Sequence, residues 1–160
     1  MNKVMVFIAM LFAVILFIGC GNKDFKTESN SGGVNIKEYT GSEENVIIPE
    51  KINGKMVYGI SGYLTKDGEY VGAFENNQMI KSVIVPDNWM FTVYENAFRN
   101  CTSLETVKLP YSIDSIKEEA FKNCTSLVSI EIPEAPPDSY CSLYIHREAF
   151  ANCIALEQVS

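Results

Sequence analysis

A solenoid of short β-strands joined by turns is the fold that this 160-residue sequence predicts, and three observations carry the prediction. The segment AFRNCTSLETVKLP, beginning at Ala97, returns 23 residues later as AFKNCTSLVSIEIP, beginning at Ala120. Ala-Phe pairs end at Phe74, Phe98, Phe121 and Phe150, spaced 24, 23 and 29 residues apart. After each of the first three pairs comes an apolar triplet closed by proline: Ile80, Val83 and Val85 before Pro86; Leu104, Val107 and Leu109 before Pro110; Leu127, Ile130 and Ile132 before Pro133. A period in the low twenties belongs to stacked coils, each too small to bury its apolar face alone. About four such coils are expected.

The elements follow in order. Residues 1–19 have the form of an export leader: Lys3 supplies a positive start and Val4 to Ile18 is an unbroken apolar run of 15 residues. That run is shorter than the roughly 20 residues a membrane-crossing helix needs. Leu16-Phe17-Ile18-Gly19-Cys20 resembles a bacterial lipoprotein signal, on the strength of Gly19 and Cys20. The resemblance implies removal of 1–19 and lipid on Cys20. An uncleaved N-terminal anchor is the alternative, and in both cases the body is exported and held at a membrane. Residues 20–33 are polar and end in Ser31-Gly32-Gly33. They read as the lipidated cysteine and a flexible tether, with structure beginning near Val34.

Within a coil, the L-x-x-V-x-L spacing fits a short strand whose later apolar residues share one face. Proline then ends the strand, because it has no N–H for a continuing ladder. A second apolar position lies four residues ahead of alanine, at Val93, Ile116 and Ile145. Each coil therefore holds two extended pieces and a tight turn or short helix at Ala-Phe. The periodic phenylalanines read as the spine of the core, each worth about 1.5–3 kcal/mol of burial. Trp89, three residues after Pro86 as Ile113 is after Pro110, is expected beside them. Two insertions, 61–72 and 134–144, break the period and should form loops on one face. Val159 aligns with Val107, so the last coil reads as uncapped. A truncated or degenerate product is one reading of that end, and self-association through its open strand edge is another.

The recurring I-x-x-x-A-F-x-x-C-x-x-L-x-x-I-x-I-P pattern resembles the leucine-rich repeats of BspA-like bacterial surface proteins, directly over about residues 73–160. The resemblance implies a leucine-rich-repeat solenoid over 61–160. It also implies a hairpin-like N-terminal capping segment over 34–60, where Ile47-Ile48-Pro49 and Ile52-Asn53-Gly54 carry the likeness. Its functional implication is recognition of a host, matrix or envelope protein, an adhesion-like role at the cell envelope or surface.

The residues point away from chemistry. No phosphate loop, nucleophile elbow or C-x-x-C is present, and the single histidine, His146, leaves no multi-histidine metal site. No catalytic residue, metal or cofactor is expected. His146 matches Tyr94 and Lys117 of other coils and reads as a solvated side chain; a Cys141–His146 nucleophile pair lacks an orienting group. Cys101, Cys124 and Cys153 share one repeat position and read as a core ladder of small hydrophobes, preferred over a disulfide. Asn100 and Asn123, before Cys-Thr, read as turn residues bonding their own backbone. Lys3 leaves with the leader, so 12 basic residues face 20 acidic ones, net −8, and no nucleic-acid partner is expected. Candidate binding residues are Tyr63, Tyr70, Tyr140 and Tyr144 in the insertions, where exposed tyrosine gives area at low entropic cost. The outward strand positions Thr106, Lys108, Ser129 and Glu131 join them. A structural repeat protein without binding activity of its own is the alternative function.

Overall fold

The computed structural model describes residues 22–87, 90–137, 139 and 142–159. The leader, Cys20, Trp89, Tyr140 and Cys141 lie outside the described residues. Fourteen strands are described: β1 (Phe25–Ser29), β2 (Val34–Tyr39), β3 (Asn45–Ile47), β4 (Lys51–Ile52), β5 (Lys55–Ile60), β6 (Gly62–Leu64), β7 (Tyr70–Gly72), β8 (Ser82–Ile84), β9 (Phe91–Val93), β10 (Thr106–Lys108), β11 (Ile113–Ile116), β12 (Ser129–Glu131), β13 (Tyr144–Ile145) and β14 (Gln158–Val159). The only helical element among the described residues is a 3-10 turn, Asn22–Asp24, and none of their helices is long and apolar enough to cross a membrane.

Each coil gives one strand to each of two parallel stacks. The first runs β2-β5-β9-β11-β13, with β1 added antiparallel at its edge, and the second runs β3-β8-β10-β12-β14. The L-x-x-V-x-L reading is borne out: Val83, Val107 and Ile130 pair in register and point inward, and all are buried. Between the stacks the Ala-Phe segments turn tightly, with Cys101 N–H to Phe98 O and Leu104 N–H to Cys101 O both at 3.1 Å. These turns need left-handed residues, supplied by Asn96 and Asn100 (φ 55° and 59°), Glu119 and Asn123 (56° and 62°), and Glu148 and Asn152 (56° and 61°). Asparagine tolerates that region better than most side chains.

Three ladders run along the stack. Phe74, Phe98, Phe121 and Phe150 stack ring on ring at 4.9, 5.1 and 5.4 Å. The thiols of Cys101, Cys124 and Cys153 donate to Phe74 O, Phe98 O and Phe121 O at 3.0, 3.1 and 3.0 Å, and all three are free cysteines, as the core-ladder reading expects. The asparagines differ from expectation. Their side chains bond one another between coils, Asn100 to Asn76, Asn123 to Asn100 and Asn152 to Asn123, at 2.8, 2.7 and 2.8 Å. Stacking brings equivalent positions to strand spacing, and an amide can both donate and accept, so a ladder outcompetes local backbone bonding.

The N-terminal part requires two corrections. The expected tether over 20–33 is ordered from Asn22, and β1 pairs antiparallel with β2 through the turn at 30–33. Phe25 is the cause: its ring packs at 5.2 Å on Tyr39 and is buried, so this segment has an apolar anchor its polar composition hides. The hairpin capping the stack is thus β1–β2. Residues 34–60 instead make a further coil, β2 and β3 pairing parallel with β5 and β8, with a small β4–β5 hairpin within the segment. Tyr39 occupies the phenylalanine place of this coil, its ring 4.9 Å from Phe74. The insertion 61–72 forms the β6–β7 hairpin, while the described part of 134–144 has no regular structure before β13. Phe91, not singled out in the sequence, pairs with Ile113 and fills the core.

Candidate functional site

Two surfaces emerge from residues the core does not use. The first is the outer face of the β3-β8-β10-β12-β14 stack. There, side chains alternate with the buried valines and isoleucine, so Thr106, Lys108 and Glu131 are exposed and Ser129 half-buried. Register places Thr106 opposite Ser129 and Lys108 opposite Glu131. Lys108 Nζ meets Glu131 Oε1 at 2.9 Å, and that hydrogen bond holds the lysine pKa above its ordinary value. On the neighbouring strands, Ser82 Oγ donates to Asn45 Oδ1 at 2.7 Å. Exposed Ile84 adds an apolar spot beside Lys108. These four predicted residues come together as one flat, mixed patch.

The second surface lies where the β6–β7 hairpin meets the turns ahead of Ala-Phe. A cleft of about 330 Å³ is lined by Tyr70, Glu95, Asn96, Glu118 and Glu119. Tyr70 stands against Gly62: a Cβ there would lie 2.9 Å from the ring's Cζ. Burial, then the charges of Glu95 and Glu28, push the Tyr70 hydroxyl up to about 12, so it stays a neutral donor at any physiological pH. Glu118 is paired with Arg147, and Glu119 with Lys122 at 2.7 Å and Arg99 at 3.5 Å. Glu95 is exposed.

The predicted tyrosines are not brought to one place. Tyr63 and Tyr70 share the hairpin, whereas Tyr144 is exposed on β13 at the edge of the first stack. His146 is exposed, with Nε2 3.5 Å from Lys117 Nζ. Among the described residues no group of three or more His, Cys, Asp or Glu could hold a metal ion.

Sequence reasoning missed a third feature, a groove of about 510 Å³ lined by Asn30, Asn35, Tyr58, Met90, Thr92 and Tyr94, among others. The overlooked signal was Gly59 in the middle of an apolar strand. Glycine weakens a strand and often marks close approach; a Cβ at Gly59 would lie 2.7 Å from Thr92 O and 2.8 Å from Tyr94 Cε2.

Comparison with known proteins agrees with this architecture. The profile of the BspA type leucine rich repeat region matches residues 70–160, in six copies. The solved T. pallidum leucine rich repeat protein (TpLRR) is similar at 27% identity, with a TM-score of 0.65, covering 88% of this chain and 70% of that one. A leucine rich cell surface protein from Faecalibacterium prausnitzii A2-165 aligns at 19% identity over 85% of this chain and 52% of that one, with a TM-score of 0.38. No curated protein sequence matches significantly. With the matched region covering more than half of the residues and the stacked coils formed as the repeat requires, the chain belongs to the BspA-type leucine-rich repeat family.

Proposed function

We propose that this chain is a recognition module of the bacterial cell envelope, tethered through lipid on Cys20 and binding a host, matrix or envelope protein in an adhesion-like role. The observation that carries the reading is the division of labour in the coils. Phenylalanine, cysteine and asparagine are all committed to inter-coil ladders, and what remains is a flat in-register face next to irregular inserted structure. Such repeat scaffolds display surfaces across several units. The partner contacts Thr106, Lys108, Ser129 and Glu131 on the strand face, and the tyrosines of the β6–β7 hairpin offer a second, separate contact surface. The processed chain's net charge of −8 favours a partner with basic contact residues.

Immobilised matrix and envelope proteins, probed with purified residues 21–160, test the reading. Saturable binding that falls at least tenfold in Lys108→Glu, with unchanged circular dichroism, is expected. Absence of saturable binding by a folded sample would favour the structural reading. Protease shaving of intact cells checks location: a body digested only after lysis would sink host adhesion and leave an interior envelope role.

A further inference from the structure

We infer that the groove between the β1–β2 turn and the start of the first strand stack, lined by Tyr58, Tyr94, Asn35 and Asn30, binds a neutral saccharide of one to a few sugar units. Its volume, about 510 Å³, falls within the ~300–1,000 Å³ of small-molecule sites. None of its described lining residues carries a charge, in a chain where 21% of residues are Asp, Glu, Lys or Arg. A charged ligand would therefore enter uncompensated, whereas a polyhydroxylated neutral one would not.

The walls are built rather than incidental. Tyr58 lies against the β1–β2 turn, where a Cβ at Gly33 would sit 2.7 Å from its Cε2. Tyr94 is seated in the same way against Gly59, one strand over. Two glycines thus make room for two aromatic rings at one groove, and aromatic rings are surfaces that a sugar ring's C–H groups can pack against. Asn35 supplies the polar end. It is 7% exposed, and its Oδ1 accepts from Asn30 Nδ2 at 3.1 Å. Asn30 and Asn35 both line the groove, so this amide pair forms part of its wall. Amide groups that donate and accept side by side, with the Thr92 hydroxyl, match the alternating donors and acceptors of vicinal hydroxyls.

The test is calorimetric titration of residues 21–160 with maltotriose, cellotriose and triacetylchitotriose, up to about 10 mM. At least one should bind saturably at one site. Tyr58→Ala and Tyr94→Ala should each weaken it at least tenfold, and Asn35→Ser should weaken it as well. Tyr94→Phe keeps the ring and should retain most of the affinity, which separates stacking from loss of fold. Tyr111→Ala, outside the groove, should leave binding unchanged. Failure of all three sugars to bind, binding that survives both alanine variants, or tetra-alanine binding at the same residues would overturn the assignment; the last would make it a peptide groove. Protein-partner binding through the strand face is measured separately and stands or falls independently.

Discussion

Removing one ring from the middle of the phenylalanine ladder is the sharpest perturbation the structure offers. Phe121 is fully buried and lies between Phe98 and Phe150, at 5.1 and 5.4 Å, with interplanar angles of 5° and 10°. Phe121→Ala should cost about 3–5 kcal/mol. The upper half of that range is expected, because two stacked contacts, each worth about 0.5–1.5 kcal/mol beyond burial, are lost together. Set against a typical stability of about 5–15 kcal/mol, that is about a quarter or more of the whole. At roughly 2–4 °C per kcal/mol for a chain of this size, the melting temperature should fall by roughly 10–15 °C. Phe150→Ala should cost less, since Phe150 is only half-buried. Because coils couple only to neighbours, amides of β13 and β14 should lose hydrogen-exchange protection before those of β2 and β5. Urea unfolding and exchange mass spectrometry read both quantities. A loss below about 1.5 kcal/mol, or protection lost evenly along the chain, would refute the ladder as the seat of stability.

Two further outcomes follow from the other ladders. Burial pushes the Cys101 thiol up to about 12 from an ordinary 9.0. A folded pKa above the unfolded one means this thiol's contribution to stability is intact below pH 9 and declines above it, by about 1.4 kcal/mol per pH unit; urea midpoints from pH 8 to 10.5 should show that slope, and Cys101→Ala should reduce it. Asn123 combines a φ of 62° with amide bonds to both neighbouring coils. Asn123→Ala should cost about 2–3 kcal/mol, from left-handed strain and lost bonds, and Asn123→Gly, which removes the strain, distinctly less; equal losses would contradict the left-handed requirement.

The parts of the fold that were legible in the sequence are those that repeat. Val83, Val107 and Ile130 lie in register because each recurs at the same distance from an Ala-Phe pair, and the same logic fixed the thiols as core. The first coil was harder to read because Tyr39 stands where phenylalanine is expected, and the preceding hairpin because a single buried ring, Phe25, anchors an otherwise polar strand. The strand-face residues were legible as outward positions by simple alternation. The groove was not. Tyr58, Tyr94 and Asn35 are 59 residues apart at their extremes and meet only through the pairing of β2, β5 and β9. No local pattern encodes that meeting; only Gly59, an apparent flaw in a strand, hinted at it.

The bonds between coils also give the stack a direction. Phe74, Phe98 and Phe121 each donate a backbone N–H forward, to Ala97, Ala120 and Ala149 of the following coil, at 2.9, 2.7 and 2.8 Å. The thiols of Cys101, Cys124 and Cys153 donate backward, to the phenylalanine carbonyls of the preceding coil. A coil is thus a polar tile with unlike upper and lower faces. Head-to-tail addition satisfies both sets of donors, whereas an inverted neighbour would set N–H against N–H and carbonyl against carbonyl. The array can be lengthened or shortened by whole units of one orientation, and the same asymmetry discourages two copies from joining face to face through like ends.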